Sequence, residues 1–122
     1  MSAIDRMLED ARRGLDRVKP ADLEREVAAG AWVIDTRPEA NRRDEGELPG
    51  AIVVERTVLE WRLDPSSPHK LAGIGPETRA IIVCNEGYSS SLAAATLRQL
   101  GLRRATDLVG GYRAWRKTIP RN

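Results

Sequence analysis

The stretch Arg79-Ala80-Ile81-Ile82-Val83-Cys84-Asn85-Glu86-Gly87-Tyr88-Ser89-Ser90 decides the fold of this 122-residue chain. Its first half is a short, unbroken apolar run, which predicts a strand buried on both faces. Its second half is a polar turn holding one glycine and two serines, followed by Leu92, Ala93, Leu97 and Leu100 at helical spacing up to Gly101. A buried strand that passes straight into a helix is half of a βαβ unit, and such units build parallel sheets.

Working outward, Ala31-Trp32-Val33-Ile34-Asp35 is a second apolar run, up to its acidic end, Ala51 to Val54 is a short strand, and Thr106 to Val109 reads as a last one. The last precedes Gly110-Gly111 and a final helix over Tyr112 to Lys117. At the N-terminus, Ile4, Met7, Leu8, Ala11, Leu15 and Val18 recur at helical spacing until Lys19-Pro20 stops them. Pro20-Ala21-Asp22 then opens a second helix through Leu23 and Val27, ended by Gly30. Thr57 to Leu63 reads as a short helix, Thr36 to Glu47 as a polar connection, and Asp64 to Gly75 as a Pro/Ser/Gly-rich loop. The expected architecture is α/β: a central parallel sheet with helices on both faces. An N-terminal helical extension over residues 1–19 precedes the domain proper, residues 20–122.

Composition narrows the function classes. Hydrophobic residues make up 41%, too many for a disordered chain, and no run approaches the length of a membrane span. The first residues carry mixed charge and no apolar core, so no secretory signal is expected, and the chain reads as cytoplasmic. Twenty basic residues are offset by eighteen acidic ones and interleaved with them, and aromatics are only 4%. That pattern gives neither a basic stripe nor a base-stacking platform, so nucleic acid is not an expected partner. One cysteine and one histidine exclude an internal disulfide and a zinc site built on them.

Cys84 stands at the carboxyl end of the strongest strand, where open α/β sheets bind their ligands. A tight loop entering a helix aims backbone N–H groups inward, and the helix dipole adds partial positive charge. Such surroundings lower a thiol pKa and produce a nucleophilic thiolate without a histidine partner. A free cysteine on an apolar strand is more often simple packing. Gly87, which permits a close or left-handed turn, and Ser89 and Ser90, which can cap the helix or donate to a sulfur anion, favour the reactive reading.

Cys84-Asn85-Glu86-Gly87-Tyr88-Ser89-Ser90 resembles the active-site loop of rhodanese-like domains, in the form used by short single-domain thiosulfate sulfurtransferases. Val33-Ile34-Asp35-Thr36-Arg37 is similar to the family's first Asp-x-Arg strand. Gly46-Glu47-Leu48-Pro49-Gly50-Ala51 is similar to its Gly-His-Ile-Pro-Gly-Ala turn, with Glu47 in place of His. Leu108-Val109-Gly110-Gly111-Tyr112-Arg113-Ala114-Trp115 is similar to its Gly-Gly-x-x-x-Trp signature. The four motifs occur in order over about residues 20 to 120, and the first helix lies outside them.

The resemblance implies a three-layer fold and a sulfurtransferase in which Cys84 takes a sulfane sulfur from thiosulfate or a persulfide and passes it to a thiol acceptor, with no metal or organic cofactor needed. It implies that Asn85, Glu86, Gly87, Tyr88, Ser89 and Ser90 cradle the substrate. The alternative is a rhodanese-like binding or redox-sensing module that does not turn over thiosulfate. Many thiosulfate-using members carry a basic residue in the loop, where this chain has Glu86, so Arg56 is the candidate for attracting an anionic donor. Asp35 is expected to pair with Arg37 in a supporting role. Tyr88 and Trp61 are candidates to rim and line the pocket. Cysteine phosphatases place an arginine six residues after the cysteine to grip phosphate. Here that residue is Ser90, which argues against phosphatase activity.

Overall fold

A computed structural model describes residues 1–120; the last two residues of the expected 20–122 domain lie outside the described part. Ten regular elements follow in the order α1 (Ala3–Arg13), α2 (Leu23–Ala28), β1 (Trp32–Asp35), α3 (Glu39–Glu45), β2 (Ile52–Val53), α4 (Leu59–Leu63), β3 (Ala80–Val83), α5 (Ser89–Gln99), β4 (Thr106–Asp107) and α6 (Gly111–Lys117). The four strands form one parallel sheet in the order β2-β1-β3-β4. Its register sets Asp35 level with both Val53 and Val83, so the segments after β1, β2 and β3 emerge together at one edge. That edge is where Cys84 begins its loop.

Alternation along the central strands splits the core in two, because successive side chains point to opposite faces. Ile34, Ala80 and Ile82 pack with Leu59, Leu63, Ala93, Ala94 and Leu97 from α4 and α5. Val33, Ile81 and Val83 pack on the other face with Val18, Leu23, Leu108 and Tyr112. Both faces are therefore covered, as continuously apolar strands require. The three-layer α/β/α expectation holds.

Two local expectations are corrected. The first helix does not run to Val18: it ends at Arg13, with Gly14 as its cap. Val18 instead extends the sheet edge, donating to the Asp107 carbonyl at 2.9 Å and accepting from Val109 N–H at 2.8 Å. Its apolar side chain fits the helical spacing by coincidence and serves the core from an extended backbone. The polar connection after β1 contains α3, which buries no side chain. Hydrophobic periodicity cannot reveal a helix that has no apolar face.

α1 also buries none of its residues fully, and Ile4 and Met7 stay exposed. It lies against α5, the helix that follows the Cys84 loop.

Candidate active site

Cys84 directly follows β3, and its side chain is only 7% exposed. Three donors or acceptors surround Sγ. Gly87 N–H lies at 3.1 Å, Ser90 N–H at 3.4 Å and Ser90 Oγ at 3.2 Å. Burial alone pushes the thiol pKa up. Hydrogen bonds from the Ser90 and Ser89 side chains and from the Ser90 and Gly87 backbone outweigh it, leaving the thiol below its ordinary value.

The loop holds this shape because glycine occupies both sides of a close backbone contact. Gly87 has φ +85, and a Cβ there would sit 2.6 Å from Gly110 N. Gly111, with φ +64, faces back: its Cβ would meet the Cys84 carbonyl oxygen at 2.5 Å and Gly87 N at 2.7 Å. That approach brings the first turn of α6 under the loop. Tyr112 N–H donates to the Cys84 carbonyl at 2.9 Å and Arg113 N–H to the Asn85 carbonyl at 3.1 Å. The Gly-Gly pair is thus what lets a helix terminus grip the cysteine loop from below.

Asp35 and Arg37 form a buried ion pair. Arg37 donates to both Asp35 oxygens, through Nε at 3.1 and 3.2 Å and through Nη2 at 2.9 Å, and Nη2 also reaches the Gly46 carbonyl at 2.9 Å. Its guanidinium stacks on Tyr112, 3.7 Å from the ring centroid. The pair connects β1, the turn before β2 and α6, and it does not touch the sulfur.

The other predicted loop residues divide by where they point. The Asn85 side chain turns away from the sulfur and donates to Glu45 Oε2 at 3.2 Å. Glu86 is 60% exposed and pairs with Arg113 at 3.4 Å, so it faces water rather than Cys84. Tyr88 is exposed at the rim beneath the Arg12 guanidinium, 5.6 Å away. Arg56 lies just past β2, but both Glu60 carboxylate oxygens hold it at 2.9 Å, so its charge is already paired. Trp61 is exposed beside Glu60, Asp64, Thr96 and Leu100, away from the loop residues.

Three residues outside the expected set complete the site. Asp107 of β4 is fully buried and accepts from Ser90 Oγ at 2.8 Å and Ser91 Oγ at 2.7 Å. Arg17 grips it from the other side, with Nε at 2.8 Å and Nη2 at 3.2 Å. Glu45 of α3 holds Asn85, Asn41 and Arg113, and its carbonyl accepts from Tyr112 Oη at 2.9 Å. Asp107 carries no mark in the sequence beyond falling within the predicted strand Thr106 to Val109, and its burial, which demands partners, is seen only in the fold.

Arg113 and then Asn41, with a smaller share from Asn85, hold the Glu45 carboxyl at about 2, against an ordinary value of 4.5. A depressed folded-state value stabilises above the unfolded pKa and is lost as pH falls through the folded one. Glu45→Gln is therefore expected to lower the thermal midpoint at pH 6, with most of that difference gone as pH falls from the ordinary carboxyl range toward 2. A difference that persists unchanged across that range, in parallel melts, would contradict this.

An open cavity of about 640 Å³ lies elsewhere, lined by Asp16, Glu26, Arg79, Arg98 and Arg104 among others. Arg79 precedes β3 and Cys84 follows it, so this cavity lies at the opposite end of the strand. Arg79 is paired with Asp16 and Glu26, and Arg98 with Asp16, so these cations are not a free basic surface. Among the described residues no group of three or more His, Cys, Asp or Glu could hold a metal ion, and no helix is long and apolar enough to cross a membrane.

A model of the rhodanese-like domain matches residues 19–118. The thiosulfate sulfurtransferase GlpE of Stutzerimonas stutzeri (strain A1501) is 28% identical over 104 residues, covering 85% of this chain and 87% of that protein. A solved structure from Rhodopseudomonas palustris CGA009, described as a protein of unknown function and possible tyrosine phosphatase, superposes with a TM-score of 0.85. It is 28% identical and is matched over 97% of this chain and 92% of its own. The human single-domain sulfurtransferase TSTD1 shares the fold, with a TM-score of 0.66 at 24% identity over 85% of this chain and 97% of that one. The family model spans nearly the whole sheet, the cysteine loop and the Gly-Gly turn beneath it, and the chain belongs to the rhodanese-like domain family.

Proposed function

We propose that the protein is a sulfurtransferase that works through a Cys84 persulfide. The observation that supports this most is the sulfur's setting: a thiol at a strand's carboxyl end, facing two backbone N–H groups and a serine hydroxyl at the start of an eleven-residue helix. The Cys84 thiolate attacks the outer sulfur of thiosulfate. The donor's S–S bond breaks, sulfite leaves with the electron pair, and Cys84 carries the sulfane sulfur as a persulfide anion. A thiol or cyanide nucleophile then attacks the terminal sulfur, and the Cys84 thiolate is restored as the leaving group. Both steps are nucleophilic displacements and balance without an oxidant or reductant. The Gly87 and Ser90 N–H groups, with the rest of the loop backbone, stabilise the anion in each resting form.

The relative from Rhodopseudomonas palustris brings phosphatase chemistry into view. In this chain Ser90 stands six residues after the cysteine, and its hydroxyl is committed to Asp107 and the sulfur. No loop side chain grips a phosphate bidentately, which supports sulfur transfer over phosphoryl transfer. The charges on the loop itself do not select the donor, because Arg12, Arg17 and Arg113 are balanced there by Glu45, Glu86 and Asp107, which leaves attraction to a charge outside the loop.

Initial rates with thiosulfate and cyanide varied together test the two-step scheme. Parallel double-reciprocal lines are expected. Intersecting lines would rule out a free persulfide enzyme. Loading from a persulfide with no thiosulfate turnover would favour the sensing module instead. We assign Arg56 to attracting the donor, with Glu60 as its brake. Arg56→Ala is expected to raise the thiosulfate KM about two- to five-fold at low salt, as suits an exposed charge, with kcat unchanged. An unchanged KM removes Arg56 from the site.

A further inference from the structure

We infer that Arg12 and Arg17, which precede the segment matching the family model, are positioning residues for Cys84: together they hold the Gly87 carbonyl and the Asp107 carboxylate so that Gly87 N–H and the Ser90 hydroxyl serve the sulfur. This rests on Cys84 being the reactive sulfur. The geometry around Gly87 comes first. Its carbonyl accepts from Arg12 Nη2 at 2.8 Å and Arg17 Nη2 at 3.1 Å, while its N–H points to Sγ at 3.1 Å. Two cations thus anchor the carbonyl side of the residue whose N–H serves the sulfur, and limit how far the loop can rotate or withdraw from it.

The Ser90 hydroxyl supplies the second link. It has one proton and lies within reach of two acceptors, Asp107 Oδ2 at 2.8 Å and Cys84 Sγ at 3.2 Å. With Cys84 as a thiol, S–H donates to Ser90 Oγ and the hydroxyl proton goes to Asp107. With Cys84 as a thiolate, the hydroxyl must turn to the sulfur, and Asp107 loses a donor. Asp107 is fully buried and tolerates the loss because Ser91 Oγ and both Arg17 nitrogens remain on it. Without Arg17 the carboxylate retains the Ser90 proton, and the thiolate forms only at higher pH. Arg12 reinforces the arrangement by donating through Nε to Ser91 Oγ at 3.1 Å.

The other charged groups around the loop are Glu86 and Arg113 on the rim, Glu45 behind Asn85, and the Asp35–Arg37 pair behind Tyr112. All are unchanged in the variants below, so a shift reports on the arginine pair. The test is the pH dependence of Cys84 alkylation by iodoacetamide, which needs no sulfur donor. Arg17→Ala is expected to raise the midpoint by about one pH unit or more. Arg17→Lys keeps the charge on Asp107 but not both contacts, and is expected to fall between wild type and Arg17→Ala. Arg12→Ala leaves Asp107 paired; a slower alkylation at pH 7 is expected, with a smaller midpoint shift. If Arg17→Ala does not fold, the lysine and Arg12 variants carry the test. Folded variants whose midpoints match wild type overturn the inference. A shifted midpoint in a protein that accepts no sulfur would uphold the positioning role and defeat the transferase reading instead.

Discussion

Cys84→Ser is expected to abolish sulfur transfer, lowering turnover at least about a thousand-fold, while leaving the fold intact. Cys84 is the protein's one thiol, so no neighbouring cysteine can take its place. The serine hydroxyl fits the same space and can still accept from Gly87 and Ser90 N–H, which predicts near-wild-type stability. A serine alkoxide is far less available near neutral pH than the thiolate this loop favours. Measured as thiocyanate release from thiosulfate and cyanide, residual turnover close to wild type would remove Cys84 from the chemistry.

Gly111→Ala is expected to be nearly as damaging by a different route. The added Cβ meets backbone atoms of the cysteine loop at 2.5 to 2.8 Å, in a left-handed conformation that alanine resists. Either α6 withdraws, breaking the Tyr112 and Arg113 N–H bonds to the loop, or the loop itself moves off the sulfur. We expect a loss of about 2–4 kcal/mol in urea unfolding and at least about a hundred-fold in turnover. Gly50→Ala is the control, because Gly50 has φ +78 but open space where its Cβ would stand. It should show only the conformational cost, about 1 kcal/mol, with activity retained. Equal effects from both substitutions would mean that backbone strain, and not contact with the loop, explains the glycine at 111.

The sheet and the cysteine loop at its edge are legible in the sequence because both depend on local pattern. Residues 32–34 and Ala80–Val83 are apolar without alternation, as a doubly covered strand requires, and Cys84 sits where such a strand ends. The Asp35–Arg37 pair was legible for the same reason, its members two residues apart. What escaped was long-range. Arg17 and Asp107 are 90 residues apart, and neither is unusual alone in a chain with 20 basic and 18 acidic residues. Glu45 lies on α3, a helix with no apolar stripe to betray it. Val18 was misread because extended and helical backbones can both bury one isolated valine. Arg56 shows the reverse: its place after β2 is plain in the sequence, yet its ion pair with Glu60, four residues on, leaves it less free than that place implies. Sequence spacing thus located the sulfur, whereas the groups that orient it converge only in three dimensions.

The most direct test of the persulfide account is the intact mass of the protein after incubation with thiosulfate, followed by cyanide. Wild type is expected to gain the mass of one sulfur atom and to lose it when cyanide is added, and Cys84→Ser to gain none. No added sulfur on wild type, from thiosulfate or from a persulfide donor, would contradict it.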